Sequence, residues 1–278
     1  TPIVLLESTA TTVPSSPTVT PIPCDPLAAA FCITDGHFLF QPPILLPDNN
    51  SVDIGYLYGS TQSRKREAHR GVEFQNASGT PVYAAGAGVV VFADSDKVIK
   101  VSPWTNFYGN VVIIRHSNDL YTLYAHLSKI LVQAGDQVDA GTLIGEVGLT
   151  GAAIGSHLHF EVRKGRDGTD YSSTENPVLW LMPHAGTGTL SITLKMDIEQ
   201  NIERQFVVSY YADGITDPTR IYYISSYATG FEHNAEDAVL GELPPGRYRI
   251  AFNDTVGTHE RWADIEAGKL TEVYFVVK

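Results

Sequence analysis

Three short strings in the chain place imidazoles and carboxylates where metal or acid–base chemistry can use them. The first is His69-Arg70-Gly71-Val72-Glu73. In extended backbone, side chains two and four apart share a face, so His69 and Glu73 flank Gly71 with room between them for an ion or ligand. The second is His157-Leu158-His159-Phe160-Glu161. The same alternation puts both imidazoles and the carboxylate on one face and turns Leu158 and Phe160 toward a core. Neutral imidazole is a common metal ligand, and a catalytic zinc takes three protein ligands and keeps one position open. His69, Glu73 and one histidine of the pair supply that number. The other is left for proton transfer or for stabilising charge in a transition state. The third string, Tyr124-Ala125-His126-Leu127, ends a strand with one more imidazole, either a structural histidine or a neighbour of the metal. A His–Glu pair on one strand face is by itself an ordinary surface pair, and it is the three strings together that point to a site. No HExxH helix, GxSxG elbow, phosphate loop or thiol nucleophile accompanies them, which leaves metal-assisted hydrolysis.

The elements that must hold these strings read as strands throughout. Glycine-punctuated, β-branched runs at 81–93, 97–101, 110–116, 120–126, 142–147 and 157–163 predict an all-β domain over 64–182, a small, twisted, antiparallel sheet. After a polar stretch at 183–188, a second series at 189–195, 204–212, 220–227, 246–253, 259–265 and 270–277 predicts an accessory β-sandwich over 186–278. Residues 23–63 hold too many prolines for a central strand and read as a lead-in that wraps onto the next domain. Cys24 and Cys32, the only cysteines, read as a small disulfide loop, with a pair of buried thiols as the alternative. Residues 1–22 are more than half Ser, Thr and Pro and read as an extracytoplasmic linker. A formal charge of −12, from 31 acidic and 19 basic side chains, argues against a nucleic-acid partner. No stretch nears the roughly 18 consecutive apolar residues of a spanning helix.

Read together, HRGVEF (69–74), GTPVYAAGAGVVVFA (79–93), YGNVVIIRH (108–116), LYTLYAHLS (120–128), AGDQVDAGTLIGEVGLTGAAIGSHLHFEVR (134–163) and NPVLWL (176–181) resemble the lysostaphin-type (LytM-type) zinc metallopeptidases. The resemblance implies a barrel of the duplicated hybrid motif kind, one Zn2+ per chain and endopeptidase action on peptidoglycan peptides outside the cytoplasm. Carried over residue by residue, it assigns the metal to His69, Glu73 and His159 and the acid–base or oxyanion roles to His126 and His157. The family usually has aspartate where this chain has Glu73, one methylene longer. Glu161 is expected to orient a ligating imidazole or to be an exposed strand carboxylate. A tyrosine upstream of the first histidine approaches the oxyanion in relatives, and Tyr56 and Tyr58 lie in that region. The lead-in, with His37, Asn49 and Asn50, is close enough in sequence to cap the groove. Segment 186–278 more distantly resembles prealbumin-like or carboxypeptidase-regulatory-like sandwiches. A monomer is expected, and the rival function is a non-catalytic wall-binding or regulatory module using the same groove.

Overall fold

A computed structural model describes residues 24–196 and 203–277, so the expected linker 1–22 lies outside the described residues. The first half contains β1 (Cys32–Thr34), β2 (Val72–Gln75), β3 (Pro81–Tyr83), β4 (Gly88–Ser95), β5 (Asn110–Arg115) and β6 (Leu120–Ala125). It continues through β7 (Lys129–Ile130), β8 (Gln137–Val138), β9 (Leu143–Glu146), β10 (His157–Lys164) and β11 (Thr174–Glu175) to a 3-10 turn at Pro177–Leu179. No α-helix occurs among the described residues. Seven strands form the main sheet, in the order β11-β10-β6-β5-β4-β8, with β2 also paired to β10. A smaller sheet, β3-β9-β7, closes over it. Leu158, Phe160 and Val162, the even-numbered face of β10, enter one core with Phe74, Val112, Tyr124 and Trp180. Burying each such side chain stabilises the fold by about 1.5–3 kcal/mol, so the alternation that drives one face of β10 inward fixes the polar face on the other side.

The segment 97–101, expected as a strand, is instead a turn, with Val98 89% and Ile99 58% exposed. The buried carboxylate of Asp96 accepts from the backbone N–H groups of Tyr108 and Gly109 at 2.8 and 3.0 Å. That closes the β4–β5 loop before the apolar run can pair.

The second half is a sandwich of β12 (Gly188–Met196), β13 (Gln205–Tyr211), β14 (Arg220–Ser225), β15 (Ala238–Leu243), β16 (Gly246–Asn253), β17 (Thr258–Ile265) and β18 (Leu270–Val277). Its sheets run β1-β18-β12-β15 and β14-β13-β16-β17 around a core that includes Leu190, Phe206, Ile250 and Phe275. The lead-in thus contributes β1 to the far sandwich, where Thr34 faces Leu270, before Phe40 bridges to Leu181 beside the main sheet. Cys24 and Cys32 form a disulfide with Cα atoms 5.8 Å apart. The two halves are not independent beads, because Val239 and Leu270 of the sandwich join the core around Val178 and Trp180.

Candidate metal centre

Strand register assembles the site. β10 lies between β2 and β6, and His159 sits directly opposite Glu73 on one side and Ala125 on the other. His126 follows Ala125 at once, and its backbone turns into the left-handed region at φ 63°, a costly conformation for a non-glycine residue that aims the ring back over the sheet. His69 reaches the same place because the chain before β2 passes tightly over β10. A Cβ on Gly71 would lie 2.4 Å from the Phe160 carbonyl oxygen and 2.9 Å from the His159 ring, so only glycine permits this approach.

Hydrogen bonds to backbone carbonyls settle which ring nitrogen carries the proton. The Nδ1 atoms of His69, His126 and His157 donate to the carbonyls of Tyr56, Thr150 and Gly155 at 2.8, 2.8 and 3.0 Å. A carbonyl only accepts, so each ring keeps a lone pair on Nε2. His159 is wired in the opposite sense: its Nε2 donates to Glu161 Oε1 at 2.9 Å, leaving the lone pair on Nδ1.

Donor atoms of His69, Glu73 and His159 lie within 4.8 Å of one another, and all three residues are buried. His69 Nε2 is 3.2 Å from His159 Nδ1 and 3.9 Å from Glu73 Oε1. Two bonds of about 2.0–2.1 Å in a tetrahedral zinc site put ligand atoms about 3.3 Å apart. Two imidazole lone pairs and a carboxylate facing one another repel, and a cation among them removes the repulsion, so the donor set fits a metal. The Nε2 atoms of His126 and His157 are not among these ligand atoms. His157 Nε2 is buried without a hydrogen-bond partner, 3.5 Å from Glu73 Oε1. Burial is the main cause that holds His69 well below the ordinary imidazole pKa, lowers His157 and brings His126 to about 3. The charges of neighbouring imidazoles add to the effect at each. These rings are neutral at neutral pH, as a ligand or a base must be.

Several partners were not foreseen from sequence. Gln75 Nε2 donates to Glu73 Oε2 at 2.9 Å and to Asp53 Oδ2 at 3.1 Å, which steadies the longer carboxylate and leaves Oε1 facing the histidines. Gln75 stands opposite His157 in register, so the i, i+2 face of β2 was the available signal. Tyr56 stacks on His69 with centroids 3.9 Å apart, and Arg66 lies over its outer face. The Tyr56 and Tyr58 hydroxyls are engaged by the carbonyls of Glu67 and Thr174 at 3.0 and 2.6 Å. Glu161 is fully buried, not an exposed strand carboxylate. It accepts from His159, from Arg163 Nε at 2.7 Å and from the Tyr108 hydroxyl. Burial alone would raise its pKa, but the Arg163 charge and these hydrogen bonds outweigh burial and hold it at about 2. The residues considered as a cap are engaged elsewhere. His37 packs on Trp180, Asn49 bonds Asn76 and Gln75, and the Asn50 carbonyl accepts from His184.

Residues 67–171 match the family model of Peptidase family M23, and the chain carries a domain of that family there. Among curated relatives, the peptidoglycan DD-endopeptidase ShyC of Vibrio cholerae is 44% identical over 95 residues, 34% of this chain and 20% of ShyC. The DD-carboxypeptidase/endopeptidase Mpg of Neisseria meningitidis is 43% identical over 95 residues, with the same coverage of 34% and 20%. The chain therefore spans about a fifth of the length of these relatives. Among solved structures, a zinc-containing peptidase from Vibrio cholerae aligns at 30% identity and a TM-score of 0.38, over 45% of this chain and 37% of that one.

Proposed function

We propose that the chain is a zinc metallo-endopeptidase that hydrolyses peptide bonds of peptidoglycan, in stem peptides or cross-bridges, outside the cytoplasm. The observation that carries this reading is the sorting of lone pairs: three donor atoms converge at His69, Glu73 and His159, with two further imidazoles held beside them. Zinc bound there would polarise the scissile carbonyl and acidify a water. His126 and His157 handle the protons. With both Nδ1 atoms bonded to carbonyls, each Nε2 is an acceptor first and becomes a donor only after taking a proton. One ring can thus accept the proton of the water, while a protonated ring donates to the oxyanion or leaving amine. Gln75 and Glu161 hold the ligands Glu73 and His159 in orientation. The names of the M23 relatives supply the substrate class, and the disulfide suits an oxidising compartment. The metal centre draws all its groups from one chain, which favours action as a monomer.

The test pairs elemental analysis with digestion of purified peptidoglycan. About one zinc per chain, lost in Glu73→Ala, together with new soluble peptides in mass spectra, is the expected result. A protein that takes up no zinc from excess metal at neutral pH, or that carries zinc and releases nothing, would return the groove to a wall-binding or regulatory module.

A further inference from the structure

The polar face of β10 does not stop at the histidines. His157, His159, Glu161 and Arg163 alternate along it, and the last two are 0% exposed. A fully buried guanidinium is rare unless every donor is matched. Here Arg163 gives Nε to Glu161, Nη1 to the carbonyls of Val101 and Gly168 at 3.2 and 2.9 Å, and Nη2 to the Tyr108 hydroxyl at 2.9 Å. Tyr108, also 0% exposed, donates its hydroxyl hydrogen bond to Glu161 and sets its ring 5.6 Å from that of His159. Glu161 therefore receives three donors, and only one of them is the histidine.

We infer that Tyr108 and Arg163, acting through Glu161, are positioning residues for the metal centre: they hold the carboxylate as an acceptor-only group so that His159 keeps its proton on Nε2 and its lone pair on Nδ1. The inference rests on the proposed ligand role of His159 and extends it to residues that touch neither metal nor substrate. Without the carboxylate, His159 loses the group that fixes its tautomer and ring plane. A glutamine in its place can accept from His159 and Tyr108 at the Oε1 position only by turning its amide N–H toward the Arg163 Nε donor at the Oε2 position. The two carbonyls that anchor Arg163 belong to the loops after β4 and after β10, so the same guanidinium ties both loops to the ligand.

Zinc affinity of the intact chain, measured by competition with a chromophoric chelator, tests the inference beside the melting temperatures of the zinc-free and zinc-loaded protein. Glu161→Gln is expected to weaken zinc binding about 10–100-fold, and Tyr108→Phe and Arg163→Lys by smaller factors of at least about 3-fold. The extra melting temperature conferred by zinc should shrink in step. A purely structural role would lower the zinc-free melting temperature and leave affinity unchanged. Should Glu161→Gln fail to fold, the other two variants decide. His159→Ala separates the two levels of the argument. If it keeps zinc, the ligand assignment itself is wrong. If it loses zinc while all folded variants of the network bind zinc within 2-fold of the unaltered chain, the positioning role is overturned.

Discussion

His157 and His159 stand two residues apart on one strand face, yet their rings are wired in opposite senses, and their losses should be separable. His159→Ala removes a lone pair from the ligand set, and metal content by elemental analysis should fall close to zero. His157→Ala leaves the three donors in place. That variant should keep its metal while peptide release slows about 10²–10⁴-fold, the usual weight of acid–base catalysis; equal metal loss in both would mean that the pair is misassigned. The buried imidazoles also predict acid sensitivity. His69, His116, His126 and His157 are all held below the ordinary value, chiefly by burial. As pH falls through about 6.5 the unfolded chain takes up protons that the folded chain refuses. Their contribution is therefore complete above about pH 6.5 and is lost progressively below it. Denaturation midpoints of the metal-free protein should drop between about pH 7 and about pH 5, and a flat profile over that interval would contradict the burial seen here.

At the scale of elements, the crossing of the 69–72 segment over β10 is the tightest point of the site. Gly71→Ala puts a methyl into the Phe160 carbonyl. The pairing of β2 with β10 must open, at about 1–3 kcal/mol for overpacking, and calorimetry should show that loss together with weakened zinc binding. The sequence displays one part of this arrangement and conceals another. His157, His159 and Glu161 on one face are legible because strand alternation is local, and two further residues of the same count reach Arg163. Register is not local: nothing in Glu73 or His159 states that they stand opposite, and nothing in Ala125-His126 announces a left-handed histidine. The run 97–101 was misleading because a strand-like composition says nothing of the buried Asp96 that closes its loop. β1 was hidden for a similar reason, since its partner lies at the other end of the chain.

Across the whole molecule, the loop between β14 and β15 clasps the region that bears the metal centre. Phe231 receives the Arg70 guanidinium 4.2 Å above its ring, the Gly230 carbonyl accepts from the same group, and Asn234 bonds the Tyr58 hydroxyl. Tyr227 meets Tyr58 edge-on and accepts from Asn176. With Val239 and Leu270 also in the shared core, the two halves should melt as one unit. Calorimetry should show a single transition, and Phe231→Ala should destabilise it by about 3–5 kcal/mol; two resolved transitions would mean that the clasp contributes little. The pairing of β1 with β18 adds a mechanical consequence. The strands are antiparallel, Cys32 faces Glu272 and Thr34 faces Leu270, so the chain enters β1 and leaves β18 at the same end of the ladder. Tension between the two ends of the described chain would peel this pair rung by rung rather than shear all its bonds together. In a force-clamp experiment the lead-in should detach first at low load, and the pull would then travel along it to Tyr56, the residue stacked on His69.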